Sequence, residues 1–164
     1  YALRMMTDIT GIDVHDIPLN DPQVLSLFSS NKALNLKENV LGQSTGALGL
    51  PEFGTNFVRK ILEETRPKTF ADLLIISGLS HGTDVYNGNA QDLINSGEAT
   101  LRDVIGCRDD IMTGLADRYG INPSDSFKIM ELVRKNNFTK PKFAADREKY
   151  EAIMREHNVP EYYI

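Results

Sequence analysis

Apolar residues recur along this chain at helical spacing, and prolines, glycines and capping side chains cut the pattern into pieces. Asp21-Pro22 sets a capping carboxylate and a first-turn proline ahead of Val24, Leu25, Leu27 and Phe28, which predicts a short amphipathic helix. Residues 42–54, "GQSTGALGLPEFG", are glycine-rich and read as a loop. A helix then runs through Phe57, Val58, Ile61 and Leu62 and ends at Arg66-Pro67, because a residue before proline is pushed out of the helical region. Thr69 and Asp72 behind Pro67 make a capping-box-like start for a helix carrying Phe70, Leu73, Leu74, Ile76, Ser77 and Leu79. Thr100 is read as the cap of a helix over Leu101–Ile105. Ile111, Met112, Leu115 and Tyr119 keep helical spacing up to Gly120 as a stop. Asn122-Pro123 opens the next helix, with Phe127, Met130, Leu132 and Val133 along it. Pro141 begins a last amphipathic helix with Phe143, Tyr150, Ile153 and Met154 on one side. No alternating strand pattern, internal repeat or low-complexity segment interrupts this series. The expected fold class is mainly α: an irregular multi-helix domain with short loops and little or no sheet.

Within that pattern, Gly78-Leu79-Ser80-His81-Gly82 fits G-x-S-x-G, the nucleophile elbow of serine hydrolases. An elbow needs a strand before its serine, and "LLII" at 73–76 falls in the middle of a predicted helix. The elbow also needs an oxyanion loop and a later acid and histidine. Only His157 lies downstream, in the last turn of a helix, where a cation facing the C-terminal dipole explains it. His81 is the immediate neighbour of Ser80, and adjacent side chains on a turn diverge. The stretch has another use. Gly78 and Gly82 let a backbone or a flat ligand approach closely, while Ser77, Ser80, Thr83 and His81 supply short hydrogen-bond donors. That combination suits a nucleotide or its base pair; a tight interhelical turn without a ligand accounts for it equally well.

Composition narrows the classes. With 164 residues, 41% apolar and 25% charged, the chain is one soluble domain with a real core or a piece of something larger. A net charge of −5 argues against gripping nucleic acid by bulk electrostatics. Local contacts remain open, since bases group as Arg59-Lys60, Arg66-Lys68 and Lys128 with Arg134-Lys135, continuing into "RKNNFTKPK"; solvated helix faces are the plainer account of each group. Cys107 is the one cysteine, and the histidines at 15, 81 and 157 have no metal-ligand spacing, which points to a reducing, intracellular setting. The N-terminal "YALRMMTDITGID" lacks the features of a signal peptide, and no run approaches membrane-spanning length. One function class compatible with all this is a self-contained helical protein-interaction module that docks a partner helix through its amphipathic C-terminal segment.

Four longer segments carry a resemblance: "TGALGLPEFGTNFVRKILEETRP", "FADLLIISGLSHGTDVYNGNAQDLI", "VIGCRDDIM" and "FKIMELVRK". Together, and in this order, they resemble the PolC-type alpha subunit of DNA polymerase III, the replicative C-family polymerase of low-GC Gram-positive bacteria. The likeness extends over essentially the whole chain and falls on the helical fingers domain. Where relatives often read "DVWLGNAQ", this chain has Asp84-Val85-Tyr86-Asn87-Gly88-Asn89-Ala90-Gln91, with Tyr86 keeping an aromatic. The resemblance implies that residues 1–20 end a palm-to-fingers connection and that 21–164 form the fingers. It implies a DNA-directed DNA polymerase (a nucleotidyltransferase) as the full-length protein, acting on primer-template DNA and deoxynucleoside triphosphates in the cytoplasm, with no membrane contact. Other polymerase domains and replisome subunits such as the sliding clamp would be met through regions outside this chain. Nucleotide contacts are implied at Ser77, Gly78, Ser80, His81 and Arg108, and DNA contacts at Thr45, Gly46, Glu52, Arg59, Lys128, Arg134 and Lys135. Arg108 suits phosphate by type, since a guanidinium binds oxyanions bidentately; an ion pair with Asp109 or Asp110 is its plainer role. The palm aspartates that bind two Mg²⁺ ions are implied to lie outside this chain, and Asp8, Asp13 and Asp16 are read as surface carboxylates rather than as that motif. The isolated piece is expected to be inactive.

Overall fold

The computed structural model describes residues 1–36, 42–82 and 85–164, and among them there are helices, turns and loops with no strand. The chain divides into two compact units, Tyr1–Leu73 and Leu74–Ile164.

The first unit contains helices α1 (Ala2–Thr10), α2 (Pro22–Ser26) and α3 (Asn56–Thr65), with 3₁₀ turns at Val14–Asp16 and Lys32–Leu34. Helix α1 is amphipathic, ends on left-handed Gly11 and buries none of its residues. Asp21 caps α2 by accepting from the Gln23 and Val24 amides, at 2.8 and 3.0 Å, and Pro22 takes the first turn where no amide hydrogen is needed. Thr55 caps α3, and Arg66, left-handed at φ 46°, ends it before Pro67. The core gathers Ala47, Val58, Ile61 and Leu62, with Phe28 and Phe53 meeting edge to face at 5.2 Å nearby in sequence to the loop that follows α2 and precedes α3.

Helix α4 (Phe70–Leu79) starts at the end of the first unit and continues into the second. Its start is a reciprocal cap: Asp72 accepts from the Lys68 and Thr69 amides, and the Thr69 hydroxyl accepts from the Asp72 amide.

The second unit continues with a π-type turn over Tyr86–Ala90, then α5 (Gln91–Ser96), α6 (Arg108–Thr113), a second π-type turn over Gly114–Arg118, α7 (Pro123–Arg134) and α8 (Ala144–Glu156), the last preceded by a 3₁₀ turn at Pro141–Phe143. Asn87 and Gly88 take φ/ψ near −65/127° and 68/14°, a type II turn whose second position requires glycine's freedom. Tyr86 just before it is fully buried. Helices α6, α7 and α8 close over Ile111, Leu115, Ile121, Ile129, Met130, Tyr150, Met154 and Val159.

One expectation needs correcting, and two features add to the sequence reading. Leu101–Ile105 forms turns rather than a helix: Asp103 takes both the amide and the hydroxyl of Thr100 (2.9 and 2.6 Å), which holds the chain in a closed turn. Phe127 and Val133 of α7 are exposed, while Ile129 and Met130 face the core. Helices α1 and α5 were not anticipated. The mainly α fold class itself holds.

Candidate functional site

The glycine-serine stretch lies on helix, as its capping pattern requires. Ser77, Gly78 and Leu79 are the last residues of α4, and Ser80 extends its final turn through an amide bond to the Ile76 carbonyl. The Ser80 hydroxyl donates to the Ser77 carbonyl at 2.6 Å. It is engaged by its own helix end, with no preceding strand to make it an elbow nucleophile. Ser77, Gly78 and Ser80 are half-buried and His81 is exposed. Thr83 lies outside the described residues.

What the glycines permit is a contact between backbones. A Cβ on Gly78 would stand 2.0 Å from the Gly106 carbonyl oxygen, and a Cβ on Gly106 would stand 3.1 Å from the Cα of Ile75. The end of α4 therefore rests directly on the loop that opens α6, and this brings Ser77 and Gly78 beside Gly106, two residues before Arg108. Asp110 fixes the opening of α6 by accepting from the amides of Gly106 and Cys107, both at 2.9 Å. Arg108 projects from that rigid start. Its side chain is 62% exposed, and its Nε stands 4.0 Å from an Asp109 carboxylate that is itself 70% exposed. Such a loose surface pair holds the guanidinium weakly. A cavity of about 220 Å³ in the same unit shares Ile75 and Asp110 with this contact and is also lined by Arg118, Tyr119 and Tyr163. The Tyr119 hydroxyl is buried without a hydrogen-bond partner.

The candidates in the first unit divide by direction. Thr45 is buried, and its hydroxyl has no hydrogen-bond partner. Gly46 is packed against Leu27, whose Cδ2 would be 2.9 Å from a Cβ there, and its amide bonds the Leu27 carbonyl. Gly46 holds the loop to the residues after α2. Glu52 is exposed at φ 65°, an uncommon conformation for a residue with a side chain, in a turn where the Phe53 amide reaches the Pro51 carbonyl. Arg59, half-buried on α3, donates to the side-chain oxygens of Gln43 and Asn56.

On α7, Lys128 stands 3.9 Å from Asp125. Arg134 and Lys135 converge on one carboxylate. Arg134 Nε and Nη2 donate to the two oxygens of Glu131 at 2.7 and 3.0 Å, and Lys135 Nζ lies 2.8 Å from one of them. Hydrogen bonds from Arg134, then Lys135, hold the Glu131 carboxyl down to about 2. Glu131 was not among the residues singled out from the sequence, although its spacing of three and four to the two bases is a readable signal. Among the described residues no group of three or more His, Cys, Asp or Glu is placed to hold a metal ion.

Comparison with known proteins places these features in context. The sequence profile of the bacterial DNA polymerase III alpha subunit finger domain matches residues 1–158. Over 162 residues the chain is 54% identical to a DNA polymerase III PolC-type of Streptococcus thermophilus, and the alignment covers 99% of this chain and 11% of the relative. The corresponding protein of Streptococcus mutans is likewise 54% identical. That of Oceanobacillus iheyensis is 51% identical over 163 residues, with the same coverage. The chain thus spans about 11% of the length of the relatives it matches.

Proposed function

The chain belongs to the finger domain family of the bacterial DNA polymerase III alpha subunit, and from that membership we propose that it positions the incoming deoxynucleoside triphosphate and the nascent base pair during template-directed DNA synthesis by a longer polymerase. A match over nearly the whole chain does not favour a self-contained interaction module. The observation that carries the proposal is the backbone contact of Gly78 with Gly106, which sets the serines at the end of α4 beside the rigid start of α6 and its exposed Arg108.

In this reading Arg108 donates to the triphosphate as negative charge shifts toward the leaving pyrophosphate, a role for a preorganised cation that needs no other chemistry from this chain. Ser77, Gly78, Ser80 and His81 border the base pair, where small side chains leave room for a flat ring and a correctly shaped pair closes against them. The Ser80 hydroxyl donates to the Ser77 carbonyl and takes no part in bond making. Residues 1–20 connect to the palm, and the fingers occupy 21–164.

Among the described residues no group of carboxylates is placed to hold a metal ion; the Mg²⁺ expected of a DNA polymerase is proposed to be bound by palm carboxylates outside this chain. Thr45, Gly46, Glu52, Arg59, Lys128, Arg134 and Lys135 are the residues proposed to face primer-template DNA, Thr45 and Gly46 by way of the loop they shape. The setting is the cytoplasm; among the described residues no helix is long and apolar enough to cross a membrane. Replisome subunits such as the sliding clamp are proposed to act through other parts of the polymerase.

The test uses the full-length polymerase that carries this domain. Arg108→Ala should lower kcat/KM for nucleotide by about 2–4 kcal/mol, the usual loss for one preorganised donor, and leave primer-template affinity nearly unchanged. Pre-steady-state incorporation at the wild-type rate would remove Arg108 from the triphosphate site.

A further inference from the structure

The basic end of α7 carries its own anion. Glu131, Arg134 and Lys135 sum to one positive charge rather than two, and both bases bond the same carboxylate at 2.7–3.0 Å. Arg134 is 40%, Lys135 53% and Glu131 25% exposed, so all three side chains reach solvent.

We propose that Glu131 tunes the grip on DNA by competing with backbone phosphates for Arg134 and Lys135. The inference rests on the reading that these two bases face primer-template DNA. A guanidinium has five N–H donors, and the Nε–Nη2 edge of Arg134 is already filled by a two-point fork, which is the edge best shaped for a phosphate. An incoming phosphate must therefore displace Glu131 or use the remaining donors with a carboxylate close behind them. Both routes weaken binding relative to two unopposed cations. The same competition keeps Arg134 from swinging freely, so the contact is ordered yet readily exchanged. An exchangeable, sequence-independent phosphate contact suits a protein that must move along its template after each addition, since electrostatic contacts of this kind permit sliding.

The prediction concerns affinity and its salt dependence, measured as the Kd of labelled primer-template for the full-length polymerase across a range of salt concentrations. Four proteins are compared: wild type, Glu131→Gln, the double variant Arg134→Gln/Lys135→Gln, and the triple variant combining all three changes. Glu131→Gln should tighten binding by about fivefold at moderate salt and steepen the slope of log affinity against log salt by up to about 0.9, the change expected for one additional phosphate neutralised. The double variant should bind more weakly than wild type, and the triple variant should match the double, because Glu131 then has nothing to withhold. If Glu131→Gln tightens binding equally in the double-variant background, the effect is bulk charge and the competition is refuted. A weakened double variant with an unaltered Glu131→Gln also refutes it, but leaves the DNA-facing assignment of the two bases standing. Should the double variant bind like wild type, that assignment falls and the competition with it.

Discussion

Tyr163 shows how one side chain reports on its surroundings. Its ring meets Tyr119 edge to face at 5.8 Å, and its hydroxyl lies within 3.5 Å of the Asp110 carbonyl. Burial, with the neighbouring Tyr119 and Asp110 adding to it, pushes the phenol up to about 12 from its ordinary 10. A pKa raised in the folded state means that the neutral phenol is favoured by folding. Its stabilising contribution is complete below pH 10 and is lost as pH rises through 10 toward 12. Thermal melts between pH 9 and 12 should therefore fall more steeply for wild type than for Tyr163→Phe, which has no proton to lose. Parallel curves would show that the phenol ionises as freely as in the unfolded chain. Tyr163 was invisible as a functional reporter in the sequence because its environment comes from Tyr119 and Asp110, more than forty residues away. The same limit applies to the site. The family resemblance implied nucleotide contacts at Ser77, Gly78 and Arg108 and DNA contacts at Thr45, Gly46 and Glu52 without indicating side-chain direction, and Thr45 and Gly46 turn inward here. Arg59 was grouped with Lys60 and given a DNA contact, and nothing in its spacing shows that Gln43, sixteen residues earlier, braces it.

At the scale of elements, the end of α4 meets the loop that opens α6 backbone to backbone. Because the atom that a Gly78 side chain would strike is backbone, 2.0 Å away, Gly78→Ala must push α4 off the loop. We expect a loss of about 1–3 kcal/mol by urea denaturation, as for other overpacked contacts, and a smaller loss for Gly106→Ala, whose nearest contacts are at 3.1–3.2 Å. Unchanged stability in Gly78→Ala would mean that the two elements do not rest on each other in solution. Helices framed by local chemistry were readable from sequence: α3 between Thr55 and Pro67, α4 behind its cap, α7 after Asn122-Pro123, and α8 after Pro141. Elements set by competition were not. Thr100 and Asp103 pair as at a helix start, yet Asp103 also accepts from Arg118, fifteen residues on, and the chain there closes only turns. Along α7 the apolar residues Phe127 and Val133 fit a helix but not the side that packs, and spacing alone does not say which of two partly apolar faces a neighbour will cover.

For the whole molecule, the matched relatives are about nine times as long as this chain, whose described residues carry exposed cations on ordered helices. Helix α1 illustrates what that means for handling the chain by itself. Nine residues are too few for a helix to persist in water on propensity alone, and α1 has no buried side chain to hold it. Its amides should exchange with deuterium within the first time points, while those of α7 remain protected. Limited trypsin should cut after Arg4 before any site within α7 or α8, and the trimmed product should melt at the temperature of the intact chain. Slow exchange in α1, or a lowered melting temperature after trimming, would reveal an anchor that the burial pattern does not contain. For anyone preparing crystals or recording spectra, the packed part of the first unit therefore begins after Gly11.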